Sequence, residues 1–173
     1  QLAGDLLPEP TLEQRIATLE GGTHCTLAPS GLAAITVVNV ALLKHGDEVL
    51  LPANVYGPSR EMARTLLADW GITHRLYDPL DAGSLATAIN ERTRLVWLEA
   101  AGSVTMEFPD LAGLVAAARA RGVITALDNT WGAGLAFRPF DLMGDGSGSL
   151  AVDVSAHALT KYPSGGGDVL MGS

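Results

Sequence analysis

Lys161 stands between Thr160 and Tyr162 and is followed by Pro163 and the three glycines at 165 to 167, so a single amine is set in a backbone that cannot repeat regularly. An amine held in such a loop is placed to attack a carbonyl carbon; the ordinary alternative is a lysine whose stem lies along the surface. Three other stretches carry chemistry of their own. Ser30-Gly31-Leu32 opens an apolar run; its backbone N–H groups can take a phosphate, although a serine cap before glycine is more often only a helix start. Asp128 closes an apolar strand, where its carboxylate either caps the loop amides after it or pairs with a protonated ring nitrogen. Tyr56, in Asn54-Val-Tyr-Gly-Pro58, is either a ring packed at a loop corner or a ring that stacks on a ligand.

Taken together, a phosphate cradle, a stacking ring, an acid for a pyridine nitrogen and an amine for an aldehyde describe one cofactor, pyridoxal 5'-phosphate (PLP). The elements that would position them alternate along the chain. Helices are expected over Leu12 to Leu19, Leu32 to Leu43, Pro58 to Trp70, Ser84 to Glu91 and Leu111 to Arg121. Strands are expected at His24 to Leu27, Glu48 to Leu51, Thr73 to Tyr77, Leu95 to Glu99, Val123 to Leu127, Ala151 to Ser155 and Asp168 to Met171. Short apolar strands between amphipathic helices predict an α/β fold, a mostly parallel seven-stranded sheet with helices on both faces. In such a sheet ligands bind beyond the carboxyl ends of the strands, where all four stretches fall. Residues 143 to 149, rich in glycine and serine, read as a flexible surface insertion.

Composition bounds the function. The chain has 173 residues, 47% of them hydrophobic and 17% charged, enough for one folded domain with its own core. A net charge of −8 argues against nucleic acid as a partner. No apolar run is long enough to span a bilayer and no secretory leader is visible, so the expected location is cytoplasmic with no membrane partner. The single cysteine, Cys25, has no partner for a disulfide and is expected to be a buried core thiol, and the histidines at 24, 45, 74 and 157 show no metal-ligand spacing. The absence of G-x-G-x-x-G after the first strand sets aside a dinucleotide fold.

From about Thr11 to Ser173 the chain resembles the large, cofactor-binding domain of the Cys/Met-metabolism family of PLP-dependent enzymes, and within it the bacterial cystathionine β-lyase branch. The matching stretches are Leu19-Glu-Gly-Gly22, Pro29-Ser-Gly31, Tyr56-Gly-Pro-Ser59, Gly102-Ser-Val-Thr-Met-Glu107, Leu127-Asp-Asn-Thr-Trp131 and Leu159-Thr-Lys-Tyr162. The resemblance implies the aspartate-aminotransferase-like fold type I, with residues 1–22 as an N-terminal arm and short helix and 23–173 as the PLP-binding domain. It implies that Lys161 bonds to C4' of PLP, Asp128 keeps the pyridine nitrogen protonated and Tyr56 stacks on the ring. It also implies that Ser30, Gly31, Leu32, Thr160 and Ser155 belong to the cofactor-binding set, Gly31, Leu32 and Thr160 holding the phosphate. Ser103 falls where many members carry an asparagine near the ring hydroxyl, and serine there resembles the β-lyase branch.

The implied reaction is β-elimination from cystathionine or a related cysteine S-conjugate, giving a thiol, pyruvate and ammonia, with Lys161 moving the Cα proton and Tyr56 assisting. A γ-lyase or γ-synthase is the alternative within the family, and a noncatalytic PLP-fold module the alternative outside it. The family also implies an amino-acid substrate and a homo-oligomer, dimer or tetramer. The chain departs from the family at Ala158, where a serine is common, at Gly165-Gly166-Gly167, where several members have a histidine, and in the arm Gln1 to Pro8, which lacks the expected tyrosine and arginine. It ends just past the lysine loop, so the expectation is a cofactor half without the smaller C-terminal domain that binds the substrate carboxylate.

Overall fold

A computed structural model of the chain describes residues 10–173, so residues 1–9 of the arm and short helix expected over 1–22 lie outside the described residues. The first helix, α1 (Leu12–Glu20), starts on a reciprocal cap in which Thr11 accepts from the Gln14 N–H and the Gln14 side chain accepts from the Thr11 N–H. It stops at Gly21, whose φ of 78° closes the helix in the left-handed conformation. Helix α2 (Gly31–Leu42) begins on Ser30, which accepts from the Ala33 N–H, and leads into β1 (Glu48–Pro52). Helix α3 (Gly57–Met62) runs on into a π-helical stretch, Ala63–Leu67, and β2 (Thr73–Tyr77) follows. Then come α4 (Ala82–Ala88), β3 (Thr93–Glu99), α5 (Leu111–Arg119), β4 (Ile124–Asp128) and β5 (Val154–Ala156).

The five strands form one sheet in the order β2-β1-β3-β4-β5, and every neighbouring pair is parallel. Strand residues alternate between two apolar layers. Val49, Leu51, Leu95 and Trp97 face α2 and the helix after β1. Leu50, Val96, Leu98 and Leu127 face α4 and α5, where Leu114, Val115 and Ala118 are buried. The sheet is therefore covered on both faces, as parallel sheets require. Among the described residues no helix is long and apolar enough to cross a membrane.

The sheet has five strands where seven are expected from the sequence. The stretches 24–27 and 168–171 do not form strands, and what remains of them is a single antiparallel bridge one step further on. Ala28 and Gly172 exchange two backbone hydrogen bonds of 2.8 Å, and beside them His157 and Ser173 exchange a second pair. Pro29, which has no N–H, follows Ala28 immediately, so the ladder cannot extend there. Strand β5 is likewise later and shorter than expected, because Asp153 is occupied in capping β4 through the Thr125 N–H and hydroxyl. Cys25 is half-buried rather than a core thiol; it borders a small cavity of about 260 Å³, and burial raises its pKa.

Candidate active site

The strand order reverses direction between β1 and β3, since β1 leads outward to β2 while β3 leads the other way to β4. Connections that depart in opposite directions leave a crevice at the carboxyl ends of those strands. A cavity of about 750 Å³ opens there. Its walls bring together Ser30, Gly31, Leu32, Tyr56, Ser103, Asp128, Thr160 and Lys161, residues spread over more than a hundred positions of sequence.

One end is the start of α2. Ser30 takes the N–H groups of Ala33 and Ala34, leaving those of Gly31 and Leu32 free of intrahelical partners, with the positive end of the helix dipole behind them. The segment before Lys161 crosses this helix start closely. A Cβ on Gly31 would stand 2.6 Å from the Cβ of Ala158, so the cradle exists only because position 31 is glycine. On the opposite side the Lys161 loop folds back on itself: Thr160 Oγ1 donates to the Met171 carbonyl at 3.2 Å and accepts from the Met171 N–H at 3.1 Å. Tyr162 leans on Trp131, with ring centroids 6.3 Å apart and planes tilted by 53°.

Asp128 is the last residue of β4. Its Oδ1 accepts from the Thr130 N–H at 3.0 Å, and no arginine or lysine pairs with it among the described residues. Burial pushes its carboxyl above the usual range, against the opposing pull of the Thr130 contacts and the His157 ring. A desolvated carboxyl facing a cavity without a cationic partner fits a ligand that brings a protonated nitrogen. Tyr56, 41% exposed, presents its ring at the crevice from the turn into α3. Amine, carboxyl, ring and free helix-start amides thus fit PLP.

Ser155 is not brought to this cavity. Its hydroxyl donates to Glu20 Oε2 at 2.6 Å, and it borders the smaller cavity behind β5. Glu20 is buried and is the centre of a polar cluster: Asn129 Nδ2 donates to both of its oxygens, and His157 Nδ1 lies 3.2 Å away. Burial alone would raise its pKa; the His157, Ser155 and Asn129 contacts together hold it below the usual range.

Sequence reasoning passes over Glu99, Glu20 and His157. Glu99, at the end of β3, is 5% exposed and is the register partner of Asp128, so two carboxyls end adjacent strands side by side. Its Oε1 accepts from the Tyr56 N–H at 2.7 Å and its Oε2 from the Ser103 N–H at 3.1 Å. Burial, with a smaller push from Asp128, raises it to about 7 although both N–H groups oppose the shift. The sequence signal was available: a charged residue closing the apolar run Leu95 to Leu98 calls for a partner just as Asp128 does.

The model of the Cys/Met metabolism PLP-dependent enzyme family matches residues 7–173. The chain is 40% identical over 162 residues to a cystathionine beta-lyase of Bordetella avium, covering 94% of this chain and 38% of that protein. It is 36% identical over 165 residues to cystathionine beta-lyase MetC of Escherichia coli K12, covering 94% of this chain and 40% of that one. Among solved structures, a Campylobacter jejuni protein assigned as O-acetylhomoserine (thiol)-lyase (metY) superposes with a TM-score of 0.85 at 29% identity, over 93% of this chain and 38% of that one. That crystal contains N'-pyridoxyl-lysine-5'-monophosphate. The chain spans about two fifths of the length of these relatives.

Proposed function

The chain belongs to the Cys/Met metabolism PLP-dependent enzyme family, and we propose that it is the cofactor-holding part of a carbon–sulfur lyase acting by β-elimination on cystathionine or a related cysteine S-conjugate. The observation that carries this reading is the convergence of Lys161, Asp128, Tyr56 and the free Gly31 and Leu32 amides on one crevice. PLP, when bound, supplies an aldehyde carbon for amines and an electron-withdrawing pyridinium that acidifies the substrate Cα–H. Gly31 and Leu32 N–H groups hold its phosphate. Asp128 holds the proton on the ring nitrogen, a task its desolvated setting favours because the pair neutralises both charges. Tyr56 would cover the cofactor ring, and Ser103 would partner its hydroxyl.

Lys161 would provide the covalent anchor for the cofactor aldehyde, and its Nζ would serve as the base that moves the substrate Cα proton. Expulsion of the thiolate from Cβ and hydrolysis balance as cystathionine plus water giving homocysteine, pyruvate and ammonia. Residues 23–173 act as the cofactor domain in this reading and 1–22 as an arm, in a cytoplasmic homo-oligomer. The test uses the purified chain with added PLP. A visible absorption band that borohydride abolishes, with the mass label on Lys161 and neither effect in Lys161→Ala, supports cofactor capture; a wild-type chain that stays colourless is the noncatalytic module. In the full-length protein, pyruvate from cystathionine supports β-elimination, and 2-oxobutyrate makes it a γ-lyase.

A further inference from the structure

Glu99 sits where the fold has to solve a mechanical problem. The loop carrying Tyr56 follows β1 and the loop carrying Ser103 follows β3, and these strands flank the crevice where the chain's connections diverge. Among the described residues, the sheet itself ties the two loops together only at the strand ends. The Ser103 loop is also strained: Val104 and Met106 occupy the left-handed region at φ of 68° and 59°, a conformation that costs a residue with a Cβ about 1–2 kcal/mol. Such a loop keeps its shape only when outside contacts hold it. Asn54, on the β1 side, supplies some of these by donating to Thr105 Oγ1 and Glu107 Oε2. The closest to the cofactor crevice comes from Glu99, whose two oxygens take one N–H from each loop.

We infer that Glu99 is a positioning residue that clamps the Tyr56 and Ser103 loops across the crevice, fixing the stacking ring and the hydroxyl partner relative to one another before the cofactor arrives. The inference rests on the PLP reading of the site for its purpose, though not for its geometry. Stability does not account for the residue. Its ionised form is disfavoured by burial and by Asp128 beside it, so a carboxyl kept there costs the fold something that a neutral side chain would not. One carboxylate accepting two backbone N–H groups from different loops is a short, rigid link, and rigid support of this kind is what holds a binding constellation within the tolerance that catalysis needs.

The clamp is tested first without cofactor. In the apo chain, hydrogen exchange at the Tyr56 and Ser103 amides is compared among wild type, Glu99→Gln and Glu99→Asp. Glutamine keeps one acceptor and opposes its NH2 to the other N–H; aspartate keeps the charge but draws it back by one methylene. Both variants are expected to exchange at one or both of these amides roughly tenfold faster or more, the usual loss for a hydrogen bond to a charged acceptor, while Leu98 and Leu127 in the sheet keep wild-type rates. Wild-type rates at Tyr56 and Ser103 in both variants would overturn the clamp, and so would equal acceleration at Leu98 and Leu127.

PLP titration then tests the purpose. Glu99→Gln is expected to weaken PLP binding about tenfold in the wild-type background and less than twofold when Tyr56→Ala and Ser103→Ala are already present, because the clamp then has nothing to position. Equal losses in both backgrounds refute a positioning role. A wild type that takes up no PLP refutes the proposed function instead, and the exchange rates alone decide the clamp.

Discussion

Replacing Glu99 by glutamine should reverse its effect on stability as pH rises. Folding carries this carboxyl from an ordinary 4.5 to about 7, so between those values the folded state holds a proton that the unfolded state has released. The unfolded chain then binds fewer protons, and stability must fall as pH rises through that window. The loss amounts to about 3 kcal/mol, complete above pH 8 and absent below pH 4. Glutamine has no proton to lose. At pH 4.5 the neutral acid is the better fit, because it can turn both oxygens toward the Tyr56 and Ser103 N–H groups, and the variant should be the less stable. By pH 8 the difference should have moved by about 3 kcal/mol in the variant's favour. Urea unfolding of the apo chain at pH 4.5, 5.5, 6.5 and 8 measures this, with equal m-values as the check that both proteins unfold alike. Asp128 shifts in the same direction and repels Glu99, so the comparison is repeated in an Asp128→Asn background, where its own titration drops out. A difference that stays constant within about 0.5 kcal/mol over this range would mean that Glu99 titrates alike folded and unfolded, and would refute the burial argument.

On the proposed reading, Asp128→Asn should retain PLP, since phosphate and lysine contacts would remain, yet lower kcat for cystathionine by at least about a hundredfold because the ring nitrogen would lose the group that keeps it protonated; steady-state kinetics with a PLP absorbance check separates the two effects. Gly31→Ala should destabilise the apo chain by about 1–3 kcal/mol in urea unfolding and weaken inorganic phosphate and PLP binding together, because the new methyl group collides with Ala158. Leu127→Ala, at a position with no exposure, should cost about 2–5 kcal/mol while leaving PLP bound at saturating cofactor.

Much of the site was legible because its residues violate local expectation. A lysine among glycines, an aspartate ending an apolar strand and a serine-glycine helix start each stand out in sequence, and the structure brings Lys161, Asp128, Ser30 and Gly31 to one crevice. The parallel sheet was equally readable, since alternation of short apolar runs with amphipathic helices survives errors of a residue or two at each boundary. Local pattern fails where pairing is set from a distance. Whether 24–27 and 168–171 make strands depends on partners more than a hundred residues away, and the apolar content of those segments is silent on it. Ser155 shows the same limit at the scale of one side chain: period-two alternation places it on a face but does not reveal that Glu20 waits there. Glu99 ends an apolar run as Asp128 does, so its burial is legible; what the sequence leaves silent is its partners, backbone N–H groups that every residue carries and no motif marks.

The Glu20 cluster has a kinetic meaning as well as a geometric one. Its hydrogen bonds span 109 and 135 residues of chain, and the five strands pair in parallel, so neither this cluster nor the sheet behind the crevice can close as a local hairpin. Contacts of such high order form late, after the entropy of closing long loops has been overcome by the apolar layers on either side of the sheet. Docking of α1 onto β4 and β5 is therefore expected to come late, and the buried carboxylate it carries meets its Ser155, Asn129 and His157 partners only then. Until then Asn129 lacks the carboxylate its amide donates to, and His157, which borders the crevice, lacks the carboxylate beside it.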